Sequence, residues 1–242
     1  MVQMLAITGL IFAAAILFAS VGQAGASGYL AVLAASGLTP EVMKPTALAL
    51  NVIVATITTV RFSRVGMVGW DKLWPFLIGS VPLAVVGGAV LVPAALYRVS
   101  VGLILVLVAG RLLLSIPVAD MPHVIPRLPA IGAGAGIGFL AGLTGTGGGI
   151  FLSPLLLMRG WATTRQSVGL AATFILVNSS ASILGNLGSL HQLPPAFPIW
   201  ALVAAVGGMI GADLATRRLP TVMLRRLMAV VLVLVACKLI LT

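Results

Sequence analysis

Residues 45–60, 74–96, 99–117, 168–187, 196–215 and 221–241 form six long runs dominated by Ala, Val, Leu and Ile, each read as a membrane crossing. Backbone amides in hydrocarbon need partners within their own segment, which leaves helices as the spanning structures for runs of this length. Two more apolar regions, 4–36 and 130–158, are interrupted midway, the first at SVGQAGASG (Ser20 to Gly28) and the second at GTGGG (Gly145 to Gly149). With 60% apolar and 7% charged residues and a mean hydropathy of +1.21, the chain has too little polar surface for a soluble shell. The expected class is an all-α integral membrane protein.

The net charge of +10 would point to nucleic acid in a soluble domain, but here the cations fall between apolar runs and read as orientation signals, so no nucleic acid is expected. The single cysteine, Cys237, lies in the last run and reads as a small buried hydrophobe. The N-terminal apolar stretch lacks the basic start of a secretory signal and is expected to stay in the mature protein.

VADMPHVIPRLPA, rich in proline, divides the chain into a first membrane repeat (1–117), a linker (118–129) and a second repeat (130–242). A shift of 127 positions sets Thr46 on Thr173, Asn51 on Asn178, Pro93 on Pro220, Arg98 on Arg225 and LVLVA at 105–109 on LVLVA at 232–236. The interrupted regions align at 123 positions, Gly22 on Gly145, Gly25 on Gly148 and Gly37 on Gly160. Each half therefore reads as one broken Gly-rich segment followed by three transmembrane helices. If the broken segments are re-entrant, the halves are inverted; if they cross, the halves are parallel.

Basic residues discriminate between the two, because they collect on the cytoplasmic side. Inversion puts Arg61, Arg64, Lys72, Arg111, Arg127, Arg159, Arg165, Arg217, Arg218, Arg225 and Arg226 on one face, with Lys44, Arg98 and Lys238 opposite. The parallel arrangement splits the same residues eight to six. Inverted repeats are expected, with the linker near His123 on the cytoplasmic face.

Non-helical backbone at membrane depth survives only when buried in protein or lining a wet cavity. Glycine lets backbone N–H groups approach a ligand, and half-helices can aim their positive N-terminal ends at an anion. Two such breaks facing each other near the midplane would make a transporter's binding site. The alternative, packing notches between close helices, suits Gly87, Gly88, Gly132 and Gly136.

GFLAGLTGTGGGIFLSPLLL (138–157), followed by AATFILVNSSAS, resembles the sulfite exporter TauE/SafE family of bacterial membrane transporters, whose halves each carry a G-x-x-G-G-G…P-L-L segment and then a Thr/Ser-Asn-bearing span. The first half departs from the pattern: SVGQAGASGYLAVL lacks the triple glycine and has Ala31 where Pro154 stands. The resemblance implies export or uptake of sulfite, a sulfonate or another small organosulfur anion across the bacterial inner membrane. The expected substrate shell is Gln23, Gly25, Ser27, Thr46, Asn51, Thr144, Gly145, Thr146, Gly147, Gly148, Gly149, Thr173 and Asn178. The asparagines and Gln23 are candidates for amide donors, with interhelical bonding as the other reading of the asparagines; Ser179 and Ser180 are weaker candidates.

Asp213 is the only carboxylate in an expected span; it reads either as an ion-coupling acid or as the partner of Arg217 four residues on. His123 and His191 have no ligand-spaced neighbours, so no metal is expected, and no cofactor either. No nucleotide motif occurs, and four scattered acids with two histidines disfavour an enzyme. The expected partners are a small sulfur-containing anion and membrane lipid, with a homo-oligomer left open; transport of another small anion and a non-transporting membrane subunit are the alternatives.

Overall fold

A computed structural model describes residues 2–90 and 123–218, with isolated positions 220, 223, 226 and 230. The described elements are all helical: α1 (Val2–Ala19), α2 (Ala26–Ala35), α3 (Pro40–Arg64), α4 (Trp70–Ala89), α5 (Arg127–Thr144), α6 (Gly149–Met158), α7 (Thr164–Leu184), a 3-10 turn (Leu187–Gln192) and α8 (Phe197–Asp213). Five helices are long and apolar enough to cross a membrane: Glu41–Arg64, Trp70–Ala89, Arg127–Thr144, Thr164–Leu184 and Phe197–Arg217. The spans expected over 99–117 and 221–241, and the repeat pairs Arg98/Arg225, Pro93/Pro220 and LVLVA, lie wholly or partly outside the described residues. The second repeat's helix starts at Arg127 rather than at 130, because Pro126, without an N–H of its own, suits the position just before a helix.

Both interrupted regions break where the glycines fall, after an 18-residue helix and before a 10-residue one. At 1.5 Å per residue the short helices reach about 15 Å, half the thickness of the hydrocarbon. In each break the chain turns back. Gly28 of α2 packs on Ala14 and Phe18 of α1, and the His123 N–H just before α5 donates to Gly160 O just after α6 (2.8 Å). The backbones match at the 123-residue offset: φ is positive at Gly22, Ala24 and Gly25 (75°, 56°, 116°) and at Gly145, Gly147 and Gly148 (73°, 74°, 83°).

Helix pairing follows small residues. Gly134, Gly138 and Gly142 bring α5 so close to α4 that a β-carbon on any of them would run into the carbonyl oxygens of Phe76, Ser80 and Ala84 respectively, and the two helices run parallel. Gly207 and Gly211 of α8 meet Ala15 and Ala19 of α1 in the same way. Shifted by the two offsets, these are the Ser80/Gly138 and Ala84/Gly142 contacts of the other pair. Gly87 and Gly88 are notches, against Phe139 and Ser182, whereas among the described residues nothing lies within 4 Å of a β-carbon on Gly132 or Gly136. The glycine run there offers two i, i+4 rows, and α4 takes the row that continues to Gly142.

The halves interlock. One core joins Ile11, Ala15, Tyr29, Leu33, Leu50 and Val54 of α1–α3 to Trp200 and Ala204 of α8. The other joins Ile137, Leu152, Leu156 and Phe174 of α5–α7 to Leu73 and Phe76 of α4. Between them α3 and α7 run antiparallel: Asn51 lies beside Ser179, and Met67, beyond the end of α3, beside Gly169.

Cations gather at one end of the bundle. Lys72 donates to Trp161 O (3.4 Å) and Gln166 Oε1 (3.2 Å), Arg127 lies over Trp74 and Arg159 over Trp161, and Arg61 pairs with Asp213. Lys44 sits at the other end of α4, donating to Gly88 O (3.0 Å). The Asp213 pairing corrects the expected Arg217 partner. The chain widens into a π-turn over Leu214–Arg218, which disturbs the i, i+4 register that pair needs, while α3, lying alongside, supplies Arg61.

Candidate functional site

The second break is built from the end of α5 and the start of α6. Gly145 closes α5 in the left-handed conformation, its N–H donating to Ala141 O (2.9 Å), and Gly148 caps α6, also left-handed. Among the described residues no acceptor meets the N–H groups of Gly147, Gly148, Gly149 and Ile150. The first break repeats this: the N–H groups of Ala24, Ala26, Ser27 and Gly28 are likewise unpaired among the described residues. Each short helix therefore opens on a cluster of N–H donors at its positive end that are unpaired among the described residues.

The two breaks touch. Gln23, 4% exposed, donates from Nε2 to Gly149 O (3.3 Å) and Ser153 Oγ (3.3 Å) across the interface between the halves. Asn51 of α3, fully buried, donates from Nδ2 to Thr146 O (3.4 Å) and Ser179 Oγ (3.4 Å). Thr144 and Thr146 share a hydroxyl–hydroxyl bond (2.8 Å) at the end of α5. A β-carbon on Gly147 would lie 2.7 Å from both Ile175 Cγ2 and Ser179 Oγ and 3.1 Å from Asn51 Nδ2. Gln23, Asn51, Thr144 and the 145–149 backbone thus form one buried polar cluster.

The other expected residues are placed differently. Thr46 and Thr173 donate their hydroxyls back to Val42 O (2.6 Å) and Gly169 O (3.1 Å) within their own helices. Asn178 Nδ2 donates to Phe174 O (2.9 Å) on its own helix rather than across to a break. Gly25 lies under the ring of Tyr29, whose hydroxyl donates to Ala24 O (2.8 Å), and Ser27 is buried in the first turn of α2. The amide nitrogens expected as ligand donors are therefore already committed to protein acceptors, because buried carbonyls at the breaks claim them first.

Three participants were not singled out from the sequence. Ser153 stands four residues after Gly149, on the same face of α6; that spacing could have flagged it. Tyr29 braces the first break. Lys44 passes its aliphatic stem over Gly145, with Cγ 3.2 Å from where a β-carbon would stand, and brings a positive charge beside the second break.

The family model described as "Sulfite exporter TauE/SafE" matches residues 7–239. A "Probable membrane transporter protein y4hK" of Sinorhizobium fredii is 42% identical over 233 residues, covering 94% of both chains. A "Probable membrane transporter protein" of Xylella fastidiosa is 33% identical over 85 residues, 35% of this chain and 33% of its own. No solved structure matches.

Proposed function

The chain belongs to the sulfite exporter TauE/SafE family, and from that premise we propose that it is a secondary transporter, an exporter of sulfite or an organosulfonate across the bacterial inner membrane. The observation that carries this reading is the joining of two half-length helices, one from each half, by Gln23, each helix opening on N–H groups that are unpaired among the described residues. An oxyanion in hydrocarbon needs donors already oriented, and a cluster of backbone N–H groups at a helix N-terminus supplies them without the cost of inserting an arginine, at least about 2.5–3.5 kcal/mol. Ser153 and Ser179 accept from Gln23 and Asn51, which leaves their own hydroxyl hydrogens for the ligand.

The packing supports inverted repeats. Two equivalent helices, α3 and α7, lie antiparallel at the junction, so a two-fold axis relating them is perpendicular to both and lies in the membrane plane. The doubling back of each broken segment and the cationic end, read as cytoplasmic, support the same topology. With no nucleotide motif in the sequence, transport is driven by a gradient.

Counterflow tests the function: labelled sulfite should accumulate in liposomes that hold only this protein and are preloaded with unlabelled sulfite. Vesicles that take up no label from sulfite or any small sulfonate, while the protein is folded, would overturn the transporter reading in favour of a non-transporting membrane subunit.

A further inference from the structure

Three amide side chains end in buried oxygens that meet no donor among the described residues: Gln23 Oε1, Asn51 Oδ1 and Asn178 Oδ1. They are 4%, 0% and 0% exposed. Their orientation is fixed from the other side of each amide. Nε2 of Gln23 faces Gly149 O, Nδ2 of Asn51 faces Thr146 O and Nδ2 of Asn178 faces Phe174 O. Turning any of these amides over would set two lone-pair oxygens against each other. The three oxygens are acceptors by construction, and they are of no use to an anion.

They also lie along one face of α7. Gln23 and Asn51 both grip the 146–149 backbone, where Gln23 Oε1 lies 3.2 Å from the position of a β-carbon on Gly149 and Ile175 of α7 packs against both Gly147 and Gly149; Asn178 stands three residues on from Ile175, on the same side of that helix. A buried acceptor left unpaired is costly, and a cluster of three repeats that cost unless something positive is bound there.

We propose that Gln23, Asn51 and Asn178 form a site for a dehydrated alkali cation of the sodium class, bound together with the anion. Neutral carbonyl-type oxygens replace the hydration shell of such ions. Among the described residues no cluster of three His, Cys, Asp or Glu exists, so a divalent ion would lack the charged ligands it favours. Neutral amides hold no proton at ordinary pH, which removes hydronium relay as their task. The anion sits on the N–H ends of the short helices and the cation on the amide oxygens beside them, so each lowers the cost of bringing the other to mid-depth. The cation's coupling role rests on the anion reading above; its binding does not.

The test uses the purified full chain in choline buffer at fixed ionic strength. Replacing choline chloride by sodium chloride, with no sulfite present, should raise the unfolding temperature saturably. Sodium should also tighten binding of sulfite, added as its choline salt, by about tenfold or more. Asn178→Leu should abolish the sodium response while sulfite still binds in choline; Asn178→Thr, which keeps an oxygen, should restore part of it if the leucine variant fails to fold. Direct binding of labelled sodium gives a readout that needs no unfolding. If sodium, lithium and potassium neither bind nor shift stability while sulfite binds in choline, the oxygens are simply hydrated and the cation site is wrong. If sodium binds but sulfite does not, the cation site stands and the anion reading fails.

Discussion

Gly147→Ala separates a ligand-contacting glycine from one that merely lets helices approach. The residue sits at φ 74°, where an L side chain costs about 1–2 kcal/mol. Its new methyl would lie 2.7 Å from Ile175 Cγ2 and Ser179 Oγ, overpacking that costs roughly 1–3 kcal/mol. The sum, about 2–5 kcal/mol, is survivable against the 5–15 kcal/mol typical of folded domains. The methyl also pushes Ser179 and Asn51 away from the free N–H groups; losing one charge-assisted bond, about 1.5–3 kcal/mol, weakens sulfite binding roughly tenfold or more. Gly138→Ala, on the α4–α5 seam, should lose stability to overpacking, about 1–3 kcal/mol, with affinity unchanged in the folded fraction. Gly132→Ala, whose β-carbon meets none of the described residues, should stabilise α5 by about 0.5–1 kcal/mol and leave binding alone. Thermal unfolding and calorimetric titration with sulfite check all three. A folded Gly147→Ala protein that binds sulfite like its parent would refute the role given to the break.

Two further outcomes follow from the charged residues. In a Cys237→Ser background, cysteines at Arg64 and His123 should resist an impermeant thiol reagent in intact cells while one at His191 labels; labelling at His123 and not at His191 would reverse the orientation. Asp213→Asn should cost no more than about 1 kcal/mol, because the Arg61–Asp213 pair is a third or more exposed on both sides, and should keep sulfite counterflow within about threefold; loss of gradient-driven transport without loss of stability would make Asp213 the coupling acid.

What the sequence revealed is what the solvent dictates. Apolar runs longer than a bilayer must be helices, and glycine clusters inside them must break those helices, so the described spans and both breaks were readable from residue types alone. The matched left-handed positions follow from the same glycines, and Ala24 joins them only because its neighbours impose the turn. Facing direction was harder. In GAGAGIG both glycine rows have small-residue spacing, and only the continuation to Gly142, where the other row meets Leu140, marks the row that packs. Partner choice was hidden altogether. Asn51, Asn178 and Gln23 carry the residue types of an anion shell, but which end of an amide points at a ligand depends on which backbone carbonyl the packed neighbours bring within reach. Asp213 likewise had a partner in sequence, Arg217, and another in space, Arg61.

The exchange of α4 and α8 between the halves sets what can move. α1–α3 with α8 share one core, which α7 enters through Ile175, and α5–α7 with α4 share the other, so bodies that could move are these mixed bundles, with α7 as their common wall, rather than the two sequence repeats. Each break is braced by the opposite bundle, Gly22 against Val168 of α7 and Gly145 against Lys44 of α3. On the transport reading proposed above, sliding one bundle past the other would displace one N–H cluster relative to the other, a means of opening the site to alternate sides. Cysteine pairs at two close contacts test this in a Cys237→Ser background. Met67 and Gly169 join the bundles, with the β-carbons 2.9 Å apart once one is added to the glycine; Ala15 and Gly207 lie within one bundle at 2.8 Å. A disulfide needs ~3.5–4.5 Å between β-carbons, so both contacts must open, the first also against Met67 O and the second against Phe12 O at 2.8 Å; titration of free thiols establishes that each bond has formed. Oxidation of the Met67→Cys/Gly169→Cys pair should stop sulfite counterflow and reduction should restore it, while the oxidised Ala15→Cys/Gly207→Cys pair should transport like its reduced form. If the bundle-joining disulfide forms fully and counterflow continues at the reduced rate, the bundles do not move against each other at that end, and access to the breaks must be controlled by a motion inside one of them.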